Sequence, residues 1–310
     1  MKQHVLSLAV AFGVFSADQT IYAQGSLTPP GPPTPTFRTL QQIEPRTPIS
    51  SVPATITTSG SYYLTTNLTC SGCGGGTNGV TITADNVTVD LNGFEFNGVA
   101  GSGTGVKGPS SQPNTCVRNG ALRGWGGNGV DLSQSVNSQI EGLRVDVSGD
   151  GVLVSGNSLV TGCTVSQSPG RTGIVATAES LVRDCAVNVS ASTGLGIHAG
   201  QGAFIHRCKI NTQGADAILA NLGNYILENQ CFGLNTGVGI RLTGADNRVD
   251  GNNVKNYGTG IRAEAGGNLI IRNSVTGSLT NYFFSGTQSF GPTNLVTGVV
   301  TNHPWANLSF

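Results

Sequence analysis

Branched apolar residues return at a regular interval through most of the chain. Between Val160 and Val254 one six-residue phrase, apolar at its first and last positions, occurs five times, with steps of 22, 23, 22 and 22 residues. The copies are Val160–Val165, Val182–Val187, Ile205–Ile210, Leu227–Phe232 and Val249–Val254. The spacing continues back to Leu91 and forward to Ile270, which makes nine copies. Self-similarity at such a period is typical of a solenoid.

A second short pattern follows each phrase: a small residue and then a branched apolar one, as in Gly151-Val152 and Gly239-Ile240. Each repeat therefore contains at least two short β-branched runs separated by Gly, Asn and Ser, and none has helical periodicity. A leucine-rich repeat has a similar period, but here the apolar positions are mostly Val and Ile. We therefore predict an all-β parallel β-helix of about nine coils of roughly 22 residues.

In a parallel β-helix, equivalent residues of successive coils lie over one another at a spacing of about 4.8 Å. The fourth position of the phrase is then an inward column, apolar in the first coils and polar in the last. Its residues in chain order are Phe94, Gly120, Leu143, Cys163, Cys185, Cys208, Gln230, Asn252 and Asn273. We expect the three cysteines to form a buried ladder of thiols, in which one pair can also oxidise.

With these repeats the chain resembles the secreted right-handed β-helix repeat proteins of the pectin-lyase-like superfamily, over roughly residues 80–285. The resemblance implies a right-handed coil and a protein that is secreted, at the cell surface or in the periplasm. It does not imply one activity, because the superfamily includes lyases, hydrolases, epimerases, phage tailspikes and adhesins.

The two ends of the chain differ in composition from the repeats. Residues 1–23 contain an apolar run after a basic start and are predicted to be a signal peptide. Residues 24–48 are predicted to be a Pro-rich linker. We predict caps at 49–79 and 286–310, which cover the open ends of the β-helix at 80–285, with Trp305 as the anchor of the second cap.

Four of the seven cysteines lie outside the predicted ladder. Cys70 and Cys73 flank a Ser-Gly pair, and no further cysteine or histidine pair follows that would complete a zinc site. We therefore predict a small loop closed by a disulfide. Cys116 is expected at an inner position, and Cys231, which comes one residue late in its phrase, is expected to face outward.

Charge is scarce and balanced. The chain has 16 basic and 16 acidic residues, and 10% of its residues are charged, against about 25% in an average soluble protein. This composition argues against nucleic acid as a partner and against a broad field that attracts a polyanionic polysaccharide. No segment is long enough for a transmembrane helix. The sequence does not predict an oligomeric state.

The candidate chemistry lies in the outward position after the first apolar residue of the phrase. Arg183, His206, Glu228 and Asp250 occupy it in four successive coils, about 5 Å apart. Two neighbouring carboxylates raise the pKa of one of them or attract a cation. We therefore treat these four as candidate catalytic residues, and Glu228 and Asp250 as candidate calcium ligands; no other cofactor is predicted. The alternative is a solvated ladder of opposite charges.

Enzyme motifs are missing from the repeats. A polygalacturonase resemblance requires Asp-Asp and Gly-His-Gly segments, which the chain lacks, and the acids are too scattered for the calcium site of a pectate lyase. We therefore predict a non-catalytic exported module that binds carbohydrate or a cell-envelope component through an outer sheet face. The alternatives are a polysaccharide lyase or glycoside hydrolase acting on the same face, and an accessory role such as periplasmic metallocentre maturation.

Overall fold

The computed structural model describes residues 38–111, 113–167, 170–190, 192–295 and 303–309. The predicted signal peptide and the linker up to residue 37 lie outside the described residues. The described residues divide between two units, one that ends at residue 44 and one that begins at residue 45. In the first unit, a short helix α1 (Leu40–Ile43) is capped by Thr39. The Thr39 hydroxyl accepts the N–H of Gln42 at 3.2 Å, and the N–H of Thr39 donates to the Gln42 side chain at 2.9 Å.

The second unit consists of short strands. In chain order they are β1 (Thr47–Ile49), β2 (Ala54–Ile56), β3 (Gly60–Leu64), β4 (Leu68–Thr69), β5 (Val80–Ile82), β6 (Val87–Asp90), β7 (Glu95–Asn97), β8 (Val106–Lys107), β9 (Thr115–Arg123), β10 (Val130–Leu132), β11 (Gln139–Val147), β12 (Val152–Val154), β13 (Leu159–Thr161), β14 (Thr164–Gln167), β15 (Thr172–Ala178), β16 (Leu181–Arg183), β17 (Ala186–Val189), β18 (Leu195–Gln201), β19 (Phe204–His206), β20 (Lys209–Thr212), β21 (Asp216–Ala220), β22 (Tyr225–Leu227), β23 (Gln230–Phe232), β24 (Val238–Leu242), β25 (Arg248–Asp250), β26 (Asn253–Lys255), β27 (Thr259–Ala263), β28 (Leu269–Ile271), β29 (Ser274–Thr276), β30 (Thr280–Phe284), β31 (Ser289–Phe290), β32 (Thr293–Leu295) and β33 (Asn307–Ser309).

These strands form three parallel faces, each strand pairing with its counterpart in the next coil. Sheet 1 contains β2, β5, β8, β10, β12, β15, β18, β21, β24, β27 and β30. Sheet 2 contains β1, β3, β6, β13, β16, β19, β22, β25, β28 and β31, and sheet 3 contains β4, β7, β14, β17, β20, β23, β26, β29, β32 and β33. The long strands β9 and β11 run through both sheets 2 and 3 and join them. The architecture is the predicted all-β right-handed parallel β-helix.

The interior consists of columns of like residues, as the repeat predicts. In sheet 2 one inward column is fully buried and contains only Val and Ile over seven coils. It runs through Ile140, Val160, Val182, Ile205, Ile226, Val249 and Ile270. Branched side chains of similar volume fill such a column at every level without cavities, which explains the preference for Val and Ile.

The number of coils is larger than predicted. Sheet 1 has eleven strands among the described residues, so the solenoid has about eleven turns and not nine. The additional turns lie in the segments assigned to caps: β3 pairs in register with β6, and β31 pairs with β28. These segments lack the repeating phrase, because a terminal coil has a neighbour on one side only and its pattern is correspondingly less constrained.

Two coils are out of register with the predicted alignment. In the first predicted copy, Val89 and not Leu91 lies on Val117. The second is the coil at Leu227. Ile226, and not Leu227, lies on Ile205, so this coil advances by 21 residues and the next one, to Val249, by 23. The sixth position of the phrase is therefore Cys231, which faces inward between Ile210 and Val254. The prediction of an outward Cys231 is wrong for this reason. The prediction of an inner position for Cys116 is also wrong, since Cys116 lies half-buried on the outer side of β9.

With the corrected register, the polar end of the inward column contains only asparagines: Asn229, Asn252, Asn273 and Asn307, all buried. The carboxamide oxygens of Asn252, Asn273 and Asn307 each accept from the side-chain amide of the asparagine one coil before, over 3.0–3.2 Å. The same oxygen also accepts the backbone N–H of that residue. A second buried ladder runs parallel to it through Asn224, Asn247 and Asn268. These amides satisfy the buried polar groups of the corners.

Five of the seven cysteines lie as predicted: the three of the buried ladder and the Cys70–Cys73 pair. Cys163, Cys185 and Cys208 are buried and free, and they precede Asn229 in the same column. The hydrogen bond with Cys185, together with burial, raises the pKa of the Cys163 thiol, which keeps it protonated at neutral pH. Cys70 and Cys73 form the predicted disulfide.

The last described strand closes the C-terminal end of the column. Asn307 of β33 is fully buried and donates to Ile270 O at 3.0 Å and Gly291 O at 3.2 Å. The Trp305 side chain, in contrast, is 47% exposed. The buried anchor of this segment is therefore Asn307, and the expectation for Trp305 is wrong. Among the described residues, no helix is long and apolar enough to cross a membrane.

Asn252→Ala is expected to lower the free energy of unfolding by about 3 kcal/mol, because the buried backbone N–H of Asn229 and one hydrogen of its side-chain amide lose their acceptor. Urea unfolding followed by far-UV circular dichroism measures the loss. Asn253→Ala is the matched control, since Asn253 is the next residue and is exposed. Equal stability of the two variants would contradict a structural role for the ladder.

Candidate functional site

The predicted site residues lie at the corner between sheets 2 and 3. Arg183, His206 and Asp250 end strands β16, β19 and β25, and they share one outward column. Leu227 occupies the coil between His206 and Asp250 in that column. Glu228 is one residue further along the chain, as the shifted register requires. The expectation that Glu228 and Asp250 occupy equivalent positions in adjacent coils is therefore wrong.

Glu228 belongs to a second column at the corner itself. Its backbone has a φ of 57°, and the equivalent residues Asp184, Arg207 and Arg272 have φ values of 54°, 51° and 59°. Gly251 occupies the same position in its coil, with a φ of 67°. This left-handed conformation turns the chain from sheet 2 into sheet 3. It places charged side chains beside the column of Arg183, His206 and Asp250.

Across these two columns, most charges are paired. Arg207 Nε and Nη2 donate to the Asp184 carboxylate at 2.9 and 3.2 Å. His206 Nε2 lies 3.3 Å from Glu228 Oε2. Arg183 is half-buried, and its Nε has no hydrogen-bond partner among the described residues. Because the Asp184 and Glu228 pairs are exposed, they contribute little to stability.

Asp250 is the most constrained residue of the predicted site. Its side chain is 3% exposed and is shared by two arginines: Arg272 Nε and Nη2 donate to it at 2.6 Å each, and Arg248 Nη2 donates at 2.7 Å. Burial acts to raise the pKa of Asp250, but the hydrogen bonds from Arg272 and Arg248 outweigh it and hold the pKa below its ordinary value. A carboxylate held in this way stays ionised and is a poor proton donor.

The contacts of Arg248 and Arg272 with Asp250 also affect the hypothesis that Glu228 and Asp250 bind calcium. Both oxygens of Asp250 accept N–H donors, and Glu228 is 65% exposed with one oxygen beside His206. In the described part of the chain, no group of three or more His, Cys, Asp or Glu side chains is placed to hold a metal ion. Calcium binding at Glu228 and Asp250 stays a prediction. The two residues share a recess of about 290 Å³ with Arg272.

A larger groove lies on the outer side of sheet 3, and we call it the sheet 3 groove. Its volume is about 560 Å³. Two outward columns form its floor, one with Lys209, Gln230 and Asn253 and the other with Asn211, Phe232 and Lys255. The lining residues are Asn188, Val189, Ser190, Lys209, Asn211, Thr212, Gln213, Gln230, Cys231, Phe232, Leu234, Asn253 and Lys255.

The side chains of the groove combine apolar, amide and cationic groups. Phe232 and Leu234 are large apolar residues that are exposed in an otherwise polar surface. No Asp or Glu lines the groove, and its charged side chains are Lys209 and Lys255. The groove is therefore locally cationic although the chain has no net charge.

Sequence reasoning missed this groove because the outward column in which it placed the candidate chemistry lies on sheet 2. A signal was present: the fifth position of the phrase is Thr164, Ala186 and Lys209 in three coils, and Gln230 and Asn253 continue it once the register is corrected. The concavity that makes a groove from these columns depends on the corners at both edges of the sheet, which the spacing of apolar residues does not describe.

Comparison with known proteins supports the fold. The model of a family described as "Right handed beta helix region" matches residues 150–289. Together with the parallel coils, this match identifies the chain as a right-handed parallel β-helix protein. It fits the pectin-lyase-like superfamily that its repeats resemble. No curated protein sequence matches the chain.

Similar solved structures have low sequence identity. The Dettilon tailspike protein is 12% identical with a TM-score of 0.46, covers 85% of this chain, and is itself covered over 61% of its length. The A-module of mannuronan C-5 epimerase AlgE6 from Azotobacter vinelandii is 15% identical with a TM-score of 0.38; the alignment covers 81% of this chain and 90% of that module. The AlgE4 A-module of the same organism is 17% identical, with a TM-score of 0.28 and coverages of 77% and 91%. At these scores the likeness carries no argument about function.

Asp250→Asn is expected to lower the free energy of unfolding by about 2 kcal/mol at neutral pH, because Arg248 and Arg272 lose their charged partner. The lowered pKa of folded Asp250 means that the carboxylate stabilises the fold fully above its unfolded pKa of about 3.9. This contribution is lost as the pH falls through the folded value. The difference between wild type and variant should therefore be constant down to about pH 5 and shrink below about pH 4.

Urea unfolding of both proteins at several pH values measures this difference. Glu228→Gln is the control, since the exposed Glu228 carboxylate should contribute less than about 0.5 kcal/mol. A destabilisation by Asp250→Asn that does not change between neutral and acidic pH would show that the ion pairs are not its cause.

Proposed function

We propose that the protein is an exported, non-catalytic β-helix module that binds a glycan in the sheet 3 groove. The observation that carries the proposal is the set of side chains there: an exposed aromatic ring beside amides and lysines. Sugar rings offer apolar C–H faces that pack on aromatic side chains, and hydroxyl groups that bond to amides and ammonium groups. Binding sites for such ligands combine apolar contact area with a few placed polar groups.

The parallel coils support a polymer as the ligand. Gln230 and Asn253 present carboxamides from adjacent coils of one column, about 4.8 Å apart, and Asn188 and Asn211 do so in the neighbouring column. A carboxamide offers both donors and an acceptor, so each one can bond to a hydroxyl group in either role. Similar groups repeated along the helix axis suit a chain of similar sugar residues that lies along the groove.

The absence of carboxylates from the groove lining supports binding without catalysis. Apart from the two lysines, the titratable lining residue is Cys231, whose pKa burial raises to about 12. His, Asp and Glu are the side chains that most often act as general acid or base, and none of them is among the described residues that line the groove. Export is supported by the Cys70–Cys73 disulfide, since such bonds persist in oxidising compartments.

The second candidate function is a carbohydrate-active enzyme, a lyase or hydrolase, at the sheet 2 corner. The observation that favours it is the contact between His206 and Glu228, in which an exposed carboxylate lies 3.3 Å from an imidazole nitrogen. Such a pair can exchange protons with a substrate. Asp250 is a weak second catalytic group in this scheme, because Arg248 and Arg272 hold it as a paired carboxylate.

Phe232→Ala is expected to weaken glycan binding about tenfold, because the variant loses the apolar surface on which a sugar ring packs. A glycan array with the wild-type protein selects the ligand, and calorimetry then compares the variants. Phe283→Ala is the matched control, since Phe283 is 46% exposed, against 42% for Phe232, and lies on sheet 1. Equal affinities of the two variants, or no glycan bound at all, would contradict the proposal.

Glycan cleavage or unsaturated products are not expected when the selected glycan is incubated with the protein. The measurement is chromatography of the products with detection of new reducing ends and of absorbance from new double bonds. Product formation that is lost in Glu228→Gln and in His206→Gln, with glycan affinity unchanged, would establish the enzyme instead.

A further inference from the structure

A second recess lies at the C-terminal end of sheet 2, and we call it the Trp305 recess. Its volume is about 390 Å³, at the lower end of the range of small-molecule sites. Leu269, Ile271, Phe290, Pro292 and Trp305 supply most of its wall, and Arg248 lies at its rim. It shares no lining residue with the sheet 3 groove.

The floor of the recess is apolar where the coil before it is charged. Leu269 and Ile271 flank the inward Ile270 and are outward positions of β28. Their partners one coil earlier are Arg248 and Asp250. The outer side of sheet 2 thus changes within one coil from an ion-pair network to an apolar surface. An apolar patch beside fixed charges is what an amphipathic ligand requires.

Trp305 forms a wall whose position is set by the backbone. Arg272 N–H donates to Trp305 O at 3.4 Å, and Trp305 N–H donates to His303 Nδ1 at 3.2 Å. The guanidinium carbon of Arg272 lies 5.8 Å from the centroid of the indole ring, within the range of a cation–π contact. The hydrogen bonds hold the Trp305 backbone and the Arg272 contact orients its ring, which lowers the ordering cost of binding.

The rim supplies positive charge. Arg248 and Arg272 share the single carboxylate of Asp250, and the Arg248 side chain is 39% exposed. Arg248 contacts Asp250 through Nε and Nη2, which leaves Nη1 outside that ion pair. No Asp or Glu lines the recess. The volume, the apolar walls and the cationic rim of the recess suit a small ligand that has an apolar ring and an anionic group.

We propose that the Trp305 recess binds a small apolar ring that carries a carboxylate. The ring packs between Trp305 and Leu269, and the carboxylate accepts a hydrogen bond from Arg248 Nη1. A hydroxyl-rich sugar does not suit the recess, because its walls are mostly apolar. The site is therefore separate from the proposed glycan site and does not depend on it.

The test is a titration of the full chain with cyclohexanecarboxylate and with cyclohexylmethanol, which has the same ring and no charge. Neither compound absorbs near the excitation of tryptophan, so Trp305 fluorescence reports binding directly. The second tryptophan, Trp125, is fully buried. We expect a saturable change with a Kd on the order of millimolar for the acid, as suits so small a ligand, and binding at least about tenfold weaker for the alcohol.

Three variants separate the contributions. Arg248→Gln is expected to remove the preference for the acid, whereas Arg262→Gln on sheet 1 should keep it; the two arginine side chains are 39% and 40% exposed. Leu269→Asp places a like charge in the recess without removing a partner of Asp250, and it should abolish binding of the acid. Circular dichroism checks that each variant is folded.

Several results would overturn the proposal. They are the absence of saturable binding to the wild type, equal affinities for acid and alcohol, an acid preference that persists in Arg248→Gln, and binding that persists in Leu269→Asp. Calorimetry on Trp305→Phe distinguishes loss of the fluorescent reporter from loss of the site. Failure of glycan binding in the sheet 3 groove has no bearing on any of these outcomes.

Discussion

The parallel hydrogen bonds between successive coils are the constraint on which everything else in this molecule depends. They pair each strand with its counterpart about 22 residues away, as when Leu159 N–H donates to Ser138 O at 2.8 Å and Leu181 N–H donates to Ser158 O at 2.8 Å. This pairing stacks equivalent side chains at the interstrand distance. An inward residue therefore has to match its neighbours above and below, and an outward residue joins a row of functional groups.

Inside the molecule, the same constraint makes polar residues acceptable where a globular core would exclude them. A single buried asparagine costs free energy unless its carboxamide finds partners. Stacked asparagines provide these partners for one another, and their remaining amide hydrogens bond to corner carbonyls such as Ile226 O at 2.7 Å. Outside, equivalent positions of successive coils make the two charged columns of the sheet 2 corner and the amide rows of the sheet 3 groove.

The period, the fold and the cysteine positions at Cys163, Cys185 and Cys208 could be predicted because inward columns repeat one residue type. The register near Leu227 could not, since Ile226 and Leu227 are both apolar and either one fits an inward column. The left-handed corner at Glu228 decides between them. The partners of Asp250 were missed for a similar reason: Arg272 is at a corner position one column away, which a list of single columns does not include. The terminal coils could not be predicted because each has a neighbour on one side only and lacks the repeating phrase.

The buried asparagine ladder makes the last coils of the solenoid different from the earlier ones. From Asn229 onward, every coil is joined through side chains to the next, and the chain of bonds finishes at Asn307, near the C terminus. In the three coils before Asn229 the equivalent positions hold thiols, which bond weakly. A repeat protein loses its coils most readily from an exposed end. Fraying of these coils requires removal of Asn307 from the last level, so they are secured by a strand, β33, that is distant from them in sequence.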